Sequence, residues 1–317
     1  MKKIICVGHA ALDYVYRIES FPPQPMKVRS LEHIESGGGM AANASAAIAR
    51  LGGDVELWSR VGGDSAGERI LKFLAGDGVD IAHVRTFPHA RSSTSAVIVD
   101  QTGERMIVGE RDHAMPLDAD WLPLQRITAA EVGVVMSDLR WLEGTLAAFK
   151  QARAQGVPTL IDADLGSSGL MEEFLPLTDY AIFSAPALDA FAGADDGAAH
   201  NRSQLAKVLE HGVRYAGVTR GAGGYVWLTA DGQAGEQAAF ALDAVDTTGA
   251  GDAFHGAFAW ALASGAPAAG AGASGANLTE CARVASAVAA LKCRRLGARA
   301  GLPTRAELDE FLHARAN

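Results

Sequence analysis

Cysteine is scarce in this 317-residue chain. Cys6, Cys281 and Cys293 form neither a CxxC pair nor a metal-ligand spacing, which argues against a disulfide framework or a structural zinc site. They read as reduced thiols in a cytoplasmic protein. Long apolar runs are missing as well: nowhere do about 18 uninterrupted apolar residues occur, so no transmembrane helix is expected. The opening MKKIICVGHAALDYVY places two lysines before an apolar run, but His9 and Asp13 interrupt it, and no tripartite signal peptide is expected. Positive charge is in deficit, with 28 Lys and Arg against 37 Asp and Glu and a net charge of −9. That balance argues against nonspecific binding to nucleic acid or an anionic membrane, since both need a basic face. A small anionic ligand stays compatible, because a few local cations hold one. The N-x-S/T matches at Asn43 and Asn277 carry no meaning in a cytosolic chain.

What is present is ample core material, with 49% hydrophobic and 21% charged residues, as a soluble, ordered protein requires. Strand and helix signals alternate. Apolar strands are expected at Lys3–Gly8, Val55–Val61, Val132–Met136, Thr159–Asp162, Tyr180–Phe183 and Tyr215–Thr219, with helices at Ala41–Leu51 and Ser65–Leu74. This rhythm predicts a mostly parallel sheet with helices on both faces. Two stretches break it. Residues 14–36 and 92–110 look like antiparallel strands, the second with the turn signal Asp100-Gln101-Thr102-Gly103. Both fit a small sheet projecting as a lid from a single 1–317 domain. Residues 264–276 form a low-complexity connection whose GxGxxG match (Gly270, Gly272, Gly275) follows no strand and is therefore not a dinucleotide fingerprint.

Asp246 to Asp252 read DTTGAGD, between an alternating stretch, Ala238–Val245, that reads as a strand and a helical stretch, Ala253–Ala263. A Gly-rich turn opening a helix aims free N–H groups and the positive end of the helix dipole at an anion. Asp252 sits in the same turn as a carboxylate able to take a proton from a hydroxyl. Cradle and base together suggest phosphoryl transfer to an alcohol. The plainer alternative is that Gly249 and Gly251 serve tight packing while Asp252 caps a helix.

A second motif, Gly38-Gly39-Met40-Ala41-Ala42-Asn43, runs into a helix ending Arg50-Leu51-Gly52. With DTTGAGDAFHGAF it resembles the ribokinase-like (PfkB) carbohydrate kinases, and the resemblance spans essentially the whole chain. It implies a three-layer α/β fold with a β-sheet lid, ATP and Mg2+ as cofactors, and a sugar acceptor. By resemblance, Asp252 is the catalytic base, and Gly249, Ala250 and Gly251 form the anion hole. Asp13, Gly38, Gly39 and Asn43 take the sugar, and Thr219, Gly221 and Gly224 line the nucleotide. Taken alone, Asn43 could instead cap or pack within its helix, Asp13 could be a turn carboxylate, and Thr219–Gly224 could be a plain hairpin. Where many members carry N-x-x-E, this chain has Phe183-Ser184-Ala185-Pro186-Ala187. No protein metal ligand is therefore assigned, and magnesium is expected on ATP oxygens and water. A glycine P-loop with its lysine is absent, so this is not a Walker-A enzyme.

The segments Ser137–Trp141, Phe183–Leu188 and Ala285–Pro303 are most similar to bacterial sulfofructose kinases, which implies a ketose-type, anionic acceptor. Lys27 in the lid and Arg140 at a strand end match the cations such a substrate needs. Gly109 stands where those kinases offer an asparagine, and Lys27 could be a solvated lid charge. A nucleoside kinase and a sugar- or nucleotide-binding regulator are the alternatives. A homodimer through the lid is expected, because a projecting sheet exposes edges. Monovalent-cation dependence near Asp246 is left open.

Overall fold

Strand β1 (Lys3–Val7) is apolar on both faces, as a central parallel strand must be. Ile4 and Cys6 pack into one hydrophobic cluster, and Ile5 and Val7 into another on the opposite side. The computed structural model describes residues 1–165, 170–194, 200–265 and 278–315. The low-complexity GxGxxG stretch and Asn277 lie outside them.

The main sheet has nine strands. Seven run parallel: β11 (Tyr215–Thr219), β10 (Tyr180–Ser184), β9 (Thr159–Ala163), β8 (Val132–Ser137), β1, β4 (Val55–Gly62) and β5 (Val84–Phe87), in that spatial order. Beyond β11, β12 (Tyr225–Thr229) and β13 (Ala234–Gln237) add antiparallel. One face is covered by α1 (Met40–Arg50), α2 (Ser65–Gly76), α7 (Ala250–Ala263), α8 (Leu278–Lys292) and α9 (Arg305–His313). The other carries α3 (Leu142–Ala154), α5 (Ala185–Ala192) and α6 (His200–Leu209), with the short α4 (Met171–Phe174) between β9 and β10. The architecture is the ribokinase-like three-layer fold with helices on both faces.

The lid is a four-stranded sheet ordered β3-β2-β6-β7. Strands β2 (Ala11–Arg17) and β3 (Glu32–Gly38) pair antiparallel, as do β6 (Ser93–Val99) and β7 (Arg105–Glu110). The two hairpins join through a parallel β2–β6 ladder. Val15, Val97 and Val99 bury one lid face, while Met106, Ile107 and Val108 on edge strand β7 are exposed.

One expected element is absent. Ala238–Val245 is not a strand; the ladder ends at Gln237. The segment leaves the sheet for the helical layer, where Phe240 packs on Phe311 of α9 with ring centroids 5.4 Å apart. The Val245 amide then donates to Cys293 O at the end of α8 (2.8 Å). Alternating apolarity is equally the mark of an extended segment with one side on a helix. Helix α7 also starts at Ala250 rather than Ala253, so the glycine turn is its first turn.

Candidate active site

From β1 the chain builds outward through β4 and β5 on one side and through β8 to β11 on the other. The strand order therefore reverses beside β1, and such a switch point opens a crevice at the carboxyl ends of the strands. Asp138, just past β8, organises its floor. Its carboxylate accepts from the amides of His9 (2.8 Å), Ala41 (2.9 Å) and Arg140 (2.8 Å), tying β1, α1 and β8 together. A Cβ on Gly8 would lie 2.2 Å from Asp138 Oδ1, which explains the glycine there. Leu139 beside it has φ +58°, a left-handed conformation that costs a non-glycine residue on the order of 1 kcal/mol or more.

Gly249 adopts the left-handed conformation (φ 74°) that lets the chain enter α7. Asp246, fully buried, fixes the approach by accepting from the amides of Thr248 and Gly297, both at 2.8 Å. The Thr248 hydroxyl is buried with no partner. Among the described residues, no acceptor within the chain faces the Gly251 and Asp252 amides. The Cβ position of Gly251 looks onto open space. A free helix N-terminus with an orphaned hydroxyl beside it fits a phosphoryl group.

Asp252 lies in that first turn. Burial pushes its carboxyl up to about 7, against the pull of the Asn43 hydrogen bond and with repulsion from Asp164, Asp138 and Asp13. Asn43 Nδ2 donates to Asp252 Oδ2 (2.7 Å), and Asn43 Oδ1 accepts from Arg299 Nε (2.8 Å). Arg299, nearly fully buried, also donates to Gly38 O and pairs with Asp77, each at 3.1 Å. Arg299 and Asp138 were not singled out by the sequence reading.

Asp13 on β2 is buried, and burial raises its carboxyl to about 6, opposed by Ser95 and Arg299. A Cβ on Gly38 would come 2.3 Å from Asp13 Oδ1, and one on Gly39 (φ 87°) 2.5 Å from His9 O. The two glycines thus let Asp13 and the α1 N-terminus approach each other. Arg140 donates to Leu165 O (2.9 Å) and stands 3.7 Å from Asp164, which accepts from the Ser184 hydroxyl (2.9 Å). Across the lid, Arg105 donates to the Thr247 hydroxyl, linking β7 to the anion turn. Two sets stay apart from this cluster. Lys27 is exposed on the β2–β3 connection and forms no hydrogen bond with it. Thr219, Gly221 and Gly224 form the β11–β12 hairpin, where Arg220 N donates to Gly224 O (2.8 Å) and a Cβ on Gly224 would meet Gln237 O at 2.3 Å. No group of three or more His, Cys, Asp or Glu among the described residues is placed to hold a metal.

A switch-point crevice, a helix-N-terminal anion cradle beside a carboxylate, and a sheet lid define a ribokinase-like kinase scaffold. The chain belongs to the pfkB family of carbohydrate kinases, whose family model matches residues 1–305. It is 26% identical to the ribokinase of Haemophilus influenzae over 98% of both chains. It is 29% identical to the ATP-dependent ribose-1-phosphate kinase of Halopiger xanaduensis, over 81% of this chain and 84% of that one. The crystal structure of a candidate ribokinase from Agrobacterium tumefaciens superposes with a TM-score of 0.89 at 34% identity, covering 100% of this chain and 99% of that one.

Proposed function

We propose that this sugar kinase transfers the γ-phosphoryl group of ATP to a hydroxyl of an anionic, ketose-type sugar, with sulfofructose as the leading candidate. The observation that carries the reading is Asp252 in the first turn of α7, its carboxyl high and held by Asn43, beside amides with no acceptor in the chain. Asp252 accepts the proton of the attacking hydroxyl. The amides of Gly249 and Gly251 stabilise charge on the transferring group, while the Ala250 amide shapes the turn by donating to Thr247 O (3.2 Å). Asp13, Gly38, Gly39 and Asn43 seat the sugar, and the Thr219–Gly224 hairpin lines the nucleotide. Magnesium bound to the triphosphate neutralises its charge. The lid excludes water.

Support for an anionic acceptor lies at the ends of three adjacent strands. Arg140 after β8, His9 after β1 and Arg60 on β4 share one edge, with Arg111 of the lid nearby. His9 Nε2 is buried without a partner. Burial brings its imidazole down to about 4, Arg111, Arg140 and Arg60 adding to that and Asp138 opposing it. The Lys292 ammonium, fully buried, donates to Asp246 O (2.7 Å). Burial opposes that charge, and dependence of turnover on added potassium is read by titrating the salt. The exposed β7 edge is assigned to a second copy of the chain, and three buried thiols suit the cytoplasm.

The test is ATP-dependent phosphorylation of sulfofructose, fructose, tagatose, fructose phosphates, ribose and adenosine, with Arg140→Met alongside. Turnover on anionic ketoses, with KM raised about tenfold or more in the variant, supports the reading. Preference for ribose or adenosine overturns the acceptor class. Phosphate transfer to none of them overturns the kinase assignment for these acceptors. Sedimentation of the purified chain as a monomer overturns the dimer.

A further inference from the structure

His255 lies three residues beyond Asp252 on α7 and is 2% exposed. Its Nδ1 is 2.7 Å from Gly251 O and 3.3 Å from Asp162 Oδ2, and its Nε2 is 3.2 Å from Ile182 O on β10. Both carbonyl oxygens can only accept. Each ring nitrogen facing one therefore needs its own proton, because a bare nitrogen lone pair against a carbonyl oxygen is repulsive. A ring with two protons is a cation, and a buried cation needs a counter-charge. Asp162 on β9, 3% exposed, is the carboxylate that supplies it.

Burial acts on the pair in opposite senses. It pushes Asp162 well above the usual carboxylate range, helped by Asp252 and Asp164, and it lowers the imidazole, against the two carbonyls that favour its proton. The proton count is nevertheless the same in both forms. Imidazolium with carboxylate, and neutral imidazole with carboxylic acid, each hold two protons and no net charge. The carbonyls on either side of the ring decide for the first.

We propose that Asp162 and His255 are positioning residues for phosphoryl transfer: a buried ion pair that clamps the Gly251 carbonyl in the turn that carries Asp252. The proposal rests on the reading of Asp252 as the base. The clamp matters because the Gly251 carbonyl shares its peptide unit with the Asp252 amide, one of the amides of the turn with no acceptor, so that plane must not rotate away. Asp252 is faced from every side by charged or titratable groups. These are Asp13 from β2, Asp138 past β8, Asp162 and Asp164 on and past β9, Lys292 closing α8, and Arg299 before α9. Of these, Asp162 is the carboxylate whose counter-cation sits on the same helix as the base.

The experiment is 15N NMR of the full chain carrying labelled histidine, with His255→Gln to assign the signal and Asp162→Asn as the probe. It is read beside kcat and the acceptor KM. In the native chain, one imidazole is expected with both nitrogens protonated at and above neutral pH, where an ordinary histidine is neutral. That signal disappears in H255Q and becomes a neutral ring in D162N. A neutral ring donates to only one of its two carbonyls, so the link from the Gly251 turn to β10 is broken, and kcat in D162N falls about tenfold or more with acceptor KM little changed. A singly protonated His255 in the native chain overturns the ion pair. An unchanged kcat in D162N overturns the positioning role. The NMR arm needs no turnover, so failure of the kinase reading and failure of the pair are told apart.

Discussion

Asn43 Nδ2 donates to Asp252 Oδ2 at 2.7 Å, joining two motifs 209 positions apart. This bond favours the ionised carboxylate and opposes the burial that raises it. In Asn43→Ala the opposition disappears, and the Asp252 carboxyl rises further. The acid limb of kcat should move to higher pH, with kcat at neutral pH falling about tenfold or more. A pH–rate profile of the variant checks this, and an unmoved limb would remove Asn43 from the machinery.

Asp252→Asn separates chemistry from stability. Loss of a general base should lower kcat by about 10²–10⁴ while sugar and ATP binding persist. Stability should move the other way. The folded carboxyl titrates near 7, above its ordinary 3.8, so the folded state loses stability as pH rises from the lower value through the upper one. At pH 8 the amide escapes that cost, and the variant should melt a few degrees higher. At low pH, with both forms uncharged, the difference should vanish. Equal melting at both pH values would mean that the carboxylate ionises freely.

The sheet was legible because β1, β4 and β8 to β11 are short apolar runs bounded by turns, and DTTGAGD announced its helix N-terminus by composition. The lid hairpins were legible too, with Asp100 Oδ1 accepting from Thr102 N (2.8 Å) and Glu104 N (3.1 Å) at the expected turn. Arg299 was not legible. It is one of several arginines in RRLGARAG, and no local pattern says which one turns inward. The available signal was Gly37, one glycine more than the turn needs. A Cβ there would lie 2.4 Å from Arg299 Cζ, so the missing side chain marks the incoming guanidinium. Gly8 marks Asp138 in the same way. His255 escaped because a histidine on an apolar helix reads as core, and only the fold brings Asp162 to it.

Arg299 holds Asn43, Gly38 O and Asp77 at once. Arg299→Ala would leave a carbonyl, an amide oxygen and a carboxylate without their donor, and should destabilise the chain by about 3–5 kcal/mol. Arg299→Lys keeps the charge but cannot serve three acceptors from a planar fork. It should fold and melt closer to the parent, yet show the same upward shift of the acid limb as Asn43→Ala, because Asn43 is no longer oriented. Denaturant melts with pH profiles decide between the two effects. A lysine variant with native kinetics would reduce Arg299 to a stability residue.

Gly38→Ala tests how the sugar side is built. The added Cβ would stand 2.3 Å from Asp13 Oδ1 and 2.4 Å from its Cγ, closer than atoms tolerate. Gly38 pairs with Ala11 in the β2–β3 ladder, so its backbone has little room to retreat. The carboxylate is the part that yields, and it turns away from the place where it meets a sugar hydroxyl. Acceptor KM should therefore rise about tenfold or more, with KM for ATP little changed, because the anion turn on α7 is untouched. The same variant moves a raised carboxyl toward solvent, so its melting temperature should fall only slightly. An unchanged acceptor KM would show that Asp13 does not hold the sugar.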